Sequence, residues 1–455
     1  MIQITCKLIE HGCAVSFFRL QKLDRKILDL ALPALGALIA EPLFLLADSA
    51  MVGHLGQAAL AGLGIAAVIL QTLVGLMIFL AYATTPAVAR NLGRGDQHGA
   101  VAAGIDGLWL ALALGMVLAL AGAWATPTLV TAFGPPPEVA QAAVRYLLLS
   151  MPGIPAMLLV FAASGLLRGL QDTRTPLWVA GVGFSANIGL NYLLIFVLDL
   201  GIAGAAIGSV LAQWGMVVAY AIIIGRKVWG LQVGWWPRRA GLRLGMADGF
   251  WLFLRTLSLR AAMVLAVYVA TALGPAELAA FHVAMTLFAT LAFALDALAI
   301  AAQALIGHGL GAGDVAQVRT VLRRCLQWGL GIGLVLGVLV MAGSGVLGEL
   351  FTRDIQVREL LPATLLILGV STPLGALVWV LDGVLIGAGD MRYLALAGII
   401  NLAVFVPLAG LVWSFSPAGS AGLAWLMAAF VFGFLGARLV TLGWRARGKA
   451  WMITG

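Results

Sequence analysis

The first residue whose chemistry stands out is an aspartate in an apolar run. Asp48 lies 15 residues after Pro33, within the stretch 27–50. A carboxylate at membrane depth is costly unless it is neutralised, solvated or paired. Asp48 is therefore a candidate proton carrier; a packing aspartate bonded to neighbouring hydroxyls is the alternative. Glu41 stands seven residues earlier, two helical turns away on nearly the same face, just before Pro42. It lines a cavity or packs, and the sequence leaves both open. Asn187 and Asn191 are four residues apart and share one helix face. Ser209, in a later apolar run, could face them. Interhelical hydrogen bonding is the plainer role for such amides. A second ionisable set comprises Arg255, Arg260, Asp296 and Asp382. These charges can neutralise one another, or they form a second cation or substrate site. His282 reads as a solvated or packed histidine more readily than as a pH switch. Tyr82, Phe161, Phe184, Trp214, Phe288 and Trp379 are candidates for the apolar wall of a ligand cavity, which needs few polar anchors.

These residues need elements to hold them, and composition says which. Hydrophobic residues make up 62% of the 455-residue chain and charged residues 10%, against about 25% charged in a typical soluble domain. That excludes a soluble enzyme and a disordered regulator. The apolar runs predict an all-α polytopic membrane protein with twelve spans, each near the 20 residues that a bilayer requires. The expected spans are 27–50, 58–85, 99–124, 139–166, 176–198, 201–225, 246–272, 276–306, 316–346, 357–386, 391–414 and 418–443. Cys6, Cys13 and Cys325 show no metal-ligand spacing. No Ser-His-Asp, HExxH or P-loop pattern is visible. We therefore expect no enzyme, metal, cofactor or nucleic-acid partner; the partners are small molecules and the lipid bilayer, and the expected state is a monomer.

Lys and Arg set the expected orientation. With the N-terminus inside, 22 of the 27 fall on inside segments, Arg438 among them, which fits both termini in the cytoplasm of an inner-membrane protein. Residues 1–24 lack the pattern of a signal peptide and read as a cytoplasmic extension. Residues 25–225 form an N-lobe, 226–245 a cytoplasmic linker, 246–443 a C-lobe and 444–455 a tail. The linker is the richest basic stretch and holds Trp229, Trp235 and Trp236, a combination suited to a membrane edge.

The two lobes are repeats. At a constant offset of 218, residues 55–96 align with 273–314 without a gap. Gly93, Gly95 and Asp96 meet Gly311, Gly313 and Asp314, and both triplets read as tight turns. Pro155 lands on Pro373, Gly165 on Gly383 and Arg174 on Arg392. A fixed period marks a true repeat. Six spans per half make the repeats parallel, so the two six-helix lobes are related by pseudo-two-fold symmetry along the membrane normal. Two like bundles imply alternating access, with an ion gradient as the energy source because the loops are too short for a nucleotide domain.

The stretch Glu41-Pro42-Leu43-Phe44-Leu45-Leu46-Ala47-Asp48-Ser49-Ala50-Met51-Val52-Gly53-His54 resembles the first span of MATE multidrug transporters. GLLRGLQDTRTP at 165–176 resembles that family's loop after span 4, and Asp382 to Arg392 is its repeat copy. Arg255-Thr256 and Leu295-Asp296-Ala297 are similar to the DinF-like branch. The resemblance runs from about residue 24 to 443. It implies an exporter of amphipathic, mostly cationic compounds, driven by inward proton or sodium flow. It places Asp48, Asn187, Asn191 and Ser209 in an N-lobe cation pocket and implies that span 1 bends, with Pro33 as the site that permits it. It favours Asp382 among the C-lobe charges as a coupling residue. The sequence departs from the pattern at Asn191, where many DinF-like proteins carry a second aspartate. One carboxylate suits a hard cation less well, so the expectation is proton coupling. The alternatives are a sodium-coupled drug antiporter and a lipid-linked precursor flippase of the same superfamily.

Overall fold

The computed structural model describes residues 22–352, 354–417 and 419–454, except for the side chains of Glu41 and Leu350. The N-terminal extension therefore lies almost wholly outside the described residues. Helices α1 (Lys22–Gly53), α2 (Gln57–Gly93), α3 (Gln97–Thr131), α5 (Arg174–Val197) and α6 (Ile202–Gly230) belong to the first half. The second half holds α7 (Arg239–Leu273), α8 (Pro275–Gly311), α9 (Val315–Glu349), α10 (Ile355–Gly387), α11 (Met391–Phe415) and α12 (Ser420–Arg447). Each is long and apolar enough to cross a membrane. Between α3 and α5, Pro137–Ser150 and Gly153–Gly169 meet at a 51° bend and together form α4, completing twelve spans. Helix is the form that satisfies every backbone group inside hydrocarbon without a partner strand.

The fourth span is bent, because Pro152 sits at the break and Pro155 follows it. Each proline removes a backbone donor. The connection between the halves is residues 231–238, shorter than the basic stretch 226–245, because helix continues through Lys227 on one side and Arg243 on the other. Long basic side chains keep their heads in water while their stems cover apolar surface. The Trp109 indole donates to the Trp235 carbonyl at 2.8 Å and its ring stacks on Trp236, tying this connection to α3.

The repeat is visible in the packing. In the first half α1 packs on α5, α2 and α3 on α4, and α4 and α5 on α6; in the second half the same neighbours recur as α7 on α11, α8 and α9 on α10, and α10 and α11 on α12. The turns that start α3 and α9 match as well. Asp96 accepts from the Gly99 amide at 2.7 Å and Asp314 from the Gln317 amide at 2.8 Å. Each follows a glycine at positive φ, Gly95 at 80° and Gly313 at 72°. Such an N-cap satisfies amides that the first helical turn leaves free.

The lobes meet along the halves of α2 and α8 nearest the Lys- and Arg-rich turns, here called the basic end. A Cβ on Gly93 would lie 2.0 Å from the His308 carbonyl, and a Cβ on Gly311 would lie 2.0 Å from the Arg90 carbonyl. At the offset of 218, Gly93 corresponds to Gly311 and Arg90 to His308, so this is one contact made twice. Arg90 also donates to the Ala388 carbonyl across the lobes. Gly311→Ala forces backbone against backbone, and we expect a stability loss of about 1–3 kcal/mol, read as a lower melting temperature in detergent. An unchanged melting temperature would show that this approach is looser than the structure has it.

Candidate functional site

Four of the N-lobe residues singled out in the sequence converge. Asp48 is 4% exposed and Asn191 is 0% exposed. The Asn191 amide nitrogen donates to Asp48 Oδ1 at 2.8 Å and to Asn187 Oδ1 at 3.1 Å. Asn187 in turn donates to Ser209 Oγ at 3.1 Å. The i, i+4 spacing on α5 puts both amides on one face, and α6 brings Ser209 against it. The ring closes through Tyr146 on α4, a residue that the sequence reading missed. Its hydroxyl points at Asp48 Oδ2, 3.4 Å away, with Ser209 and Ser150 beside it. Tyr146 lies on the half of α4 that precedes the 51° bend. Asp48 itself lies 24 residues beyond Asp24 on α1, about 36 Å of helix rise, so the ring sits toward the end opposite the basic turns.

Every donor facing Asp48 is neutral, and among the described residues it makes no ion pair. One buried oxygen of the ring, Asn191 Oδ1, has no hydrogen-bond partner among the described residues. Buried acceptors without partners are uncommon; this one belongs to the amide that donates to Asp48. Packing fixes the ring from behind. A Cβ on Gly208 would lie 2.0 Å from Asn191 Oδ1. Gly208→Ala therefore displaces the Asn191 amide from Asp48, and we expect loss of most substrate transport with the fold retained. Transport at the wild-type rate would remove Asn191 from the site.

Pro33 and Pro42 both lie inside α1, which is helical throughout its length. Glu41 belongs to the same helix, and its side chain lies outside the described residues. Phe184 stacks on Phe44 of α1, centroids 5.2 Å apart.

The C-lobe charges are arranged differently. Asp382 on α10 receives the Nε of Arg255 at 3.2 Å and a second bond from the same guanidinium, plus Nη2 of Arg438 at 3.1 Å. A carboxylate held by two guanidinium groups has little capacity left for a cation. Arg438 is 7% exposed. Counted with the inside segments though it falls within the expected span 418–443, it lies buried in the lobe, on a helix that continues to Arg447. Arg260 is not part of this cluster; it is exposed, with its guanidinium facing Gly75 of α2. Asp296 accepts from the Tyr82 hydroxyl at 3.2 Å across the lobes, with Arg168 and Arg255 close enough to act on it electrostatically. Phe288 and Trp379, 5.4 Å apart edge to face, line an apolar pocket with Leu295 and Thr372. Trp214 donates to the Pro152 carbonyl at 3.0 Å, and His282 is exposed.

Two like six-helix halves in a membrane, with one buried acid ringed by neutral donors, have the architecture of a secondary transporter. A family model described as MatE matches residues 33–193 and 253–411. Protein DETOXIFICATION 44, chloroplastic, of Arabidopsis thaliana is 30% identical over 442 residues, which cover 93% of this chain and 82% of that protein. The DNA damage-inducible protein F of Escherichia coli strain K12 is 30% identical over 374 residues, 80% of this chain and 81% of its own. Among solved structures, a multidrug resistance MATE family transporter of the MOP superfamily in an outward-facing conformation superposes with a TM-score of 0.83 at 23% identity, covering 97% of this chain and 99% of that one. The chain belongs to the MATE family of multidrug efflux transporters. It is a multi-pass membrane protein of a family that moves small molecules and does not transform them.

Proposed function

We propose that the protein exports amphipathic, mostly cationic compounds in exchange for protons, by alternating access between its two lobes, with its basic end in the cytoplasm. The observation that carries this reading is the contrast among the buried acids. Asp382 is bonded by two arginines, and Asp296 accepts from the Tyr82 hydroxyl with Arg168 and Arg255 near enough to act on it, whereas Asp48 is answered by amides and hydroxyls alone. A group of this kind gains or loses a proton without stranding a buried partner charge. When Asp48 is ionised, Asn191 and Tyr146 donate to it. When it is protonated, a half-turn of the Asn191 amide offers Oδ1, the unpartnered acceptor, to the new O–H. Protonation removes the charge that attracts the substrate cation, and α1 bends at Pro33; deprotonation restores the binding state. The positive-inside pattern supports the orientation, and the outward-facing state of the solved relative supports reading the closed basic end as the inner gate.

The driving force is sufficient. A proton entering down 100 mV contributes about 2.3 kcal/mol, and one pH unit about 1.4 kcal/mol. One-for-one exchange then supports a gradient of several hundredfold for a neutral compound. A monovalent cation leaving in exchange cancels the electrical part.

Sodium coupling is the second reading, favoured by the oxygens of Asn187, Asn191 and Ser209 beside Asp48. Against a flippase stands the engagement of Arg255 and Arg438 by Asp382, which withdraws them from a pyrophosphate. The test is reconstitution in liposomes with an imposed pH gradient and no sodium, following a fluorescent organic cation. Proton coupling is supported by accumulation under the pH gradient alone. Movement that begins only when sodium is added overturns it in favour of sodium, and no movement under either gradient overturns the cationic-drug reading.

A further inference from the structure

The basic end carries a pair of cross-lobe ion pairs that neither the family resemblance nor the coupling site accounts for. Asp24, at the start of α1, receives Nε of Arg324 on α9 at 2.9 Å, a second bond from the same guanidinium, and the Trp328 indole at 3.0 Å. Asp106 on α3 receives Arg238, just ahead of α7, through the backbone amide at 2.7 Å, Nε at 3.0 Å and Nη2 at 2.7 Å. The first joins α1 to α9 across the lobes, and the second joins α3 to the last residue of the connection, at the start of α7. The offset of 218 that aligns the repeats carries Asp106 onto Arg324 and Asp24 onto Leu242, one helical turn past Arg238. The two pairs are thus the same contact made twice about the pseudo-two-fold axis, with the charges exchanged. The approach is shaped to receive them: a Cβ on Gly241 would lie 1.9 Å from Asp106 Oδ2.

We infer that these two pairs are a double latch that holds the cytoplasmic side shut, an inference that rests on the alternating-access reading and its orientation. Two physical points support it. The acids are more deeply buried than their partners, with Asp24 and Asp106 at 1% and 5% side-chain exposure against 13% for Arg324 and 51% for Arg238. An acid withdrawn from water depends on its bidentate partner. Because the pairs are related by the pseudo-two-fold axis, they flank it, and rocking the lobes apart at this end strains both. The close approach of Gly93 and Gly311 lies at the same end and supplies a flush surface for the latch to hold.

The experiment measures distance across the basic end and needs no substrate. Spin labels are placed at Gln97→Cys and Ala316→Cys, both on exposed positions of the matching turns, in a Cys6→Ser, Cys13→Ser background; Cys325 is buried and stays. Electron–electron distances are recorded with the protein in lipid nanodiscs. The wild-type pairing is expected to give one short distance. Arg238→Gln, chosen because that side chain is half exposed and so perturbs folding least, should raise a longer-distance population about tenfold. Asp24→Asn combined with Arg238→Gln should raise it further. Asp24→Arg with Arg324→Asp should bring the short distance back. Distributions that stay unchanged in Arg238→Gln and in the combined variant overturn the latch, as does a charge exchange that leaves the long population of Asp24→Asn in place. Drug transport is scored separately. A latch that opens as expected in a protein that moves no organic cation sinks the export reading and leaves the latch; normal export with an unmoved distance distribution sinks the latch alone.

Discussion

Asp48→Asn is expected to abolish gradient-driven accumulation of an organic cation while leaving the protein folded. The substitution keeps size and shape and retains a hydrogen-bonding partner for Asn191 and Tyr146, which lie 2.8 Å and 3.4 Å from the carboxylate. What it removes is the capacity to exchange a proton. The ring tolerates the change because no buried cation is left stranded, in contrast to the C-lobe cluster. The effect on transport is therefore large and the effect on stability small. A ceiling on the cation's gradient of about tenfold per pH unit falls to none, while binding of the substrate cation weakens and ceases to depend on pH. Uptake into acid-loaded vesicles measures the first, and substrate binding across a pH series measures the second. Accumulation by the variant at the wild-type level would remove Asp48 from the coupling step.

Asp382→Leu is expected to have the second largest effect, and of the opposite kind. Asp382 is the carboxylate shared by Arg255 and Arg438. Its removal leaves two guanidinium groups in the C-lobe without their partner. Breaking a buried pair by deleting one member costs about 3–5 kcal/mol, so the variant should melt far below the wild type or fail to fold. Thermal melting in detergent reads this directly. A variant that is stable and folded but uncoupled would return Asp382 to the coupling role that the resemblance implied. Replacing Arg438 by methionine should cost less than replacing Asp382, because Arg255 still neutralises the acid.

The parts of this account that were legible in the sequence share one property: they are polar residues inside unbroken apolar runs. Asp48, Asn187, Asn191 and Ser209 interrupt stretches of Ala, Leu, Ile and Val, and the four-residue spacing of the asparagines fixes a common face. Their convergence needed only that α1, α5 and α6 belong to one bundle. Tyr146 escaped because it lies near Arg145 on the short first half of α4, where a polar residue reads as interfacial. The 51° bend that carries this half is written in Pro152 and Pro155, but prolines announce a break without its direction. Arg438 lies inside the expected span 418–443, and only the packing of α12 on α10 brings it to Asp382. Asp24 stands near the start of the first span and Asp106 inside the expected span 99–124, and only the fold of the second half against the first reveals their partners.

The architecture was legible for a different reason. The offset of 218 ties Gly93 to Gly311 and Asp96 to Asp314. A glycine kept in both copies marks a place where two backbones must approach, as these do within reach of the His308 and Arg90 carbonyls. Side-chain pairing across the lobes does not follow the same rule. The latch positions Asp106 and Arg324 occupy equivalent sites with opposite charge, so a search for identity between the repeats passes over them. Repeats conserve the shape of a contact through small residues, while its chemistry is free to change sign.

The central claim is that substrate and proton compete for the state of Asp48. It is tested most directly by adding a tight-binding organic cation to purified protein in weakly buffered solution and counting the protons released. The account predicts about one proton per bound cation in the wild type, most clearly at acidic pH, and none in Asp48→Asn. Cation binding by the wild type with no proton release at any pH would contradict it.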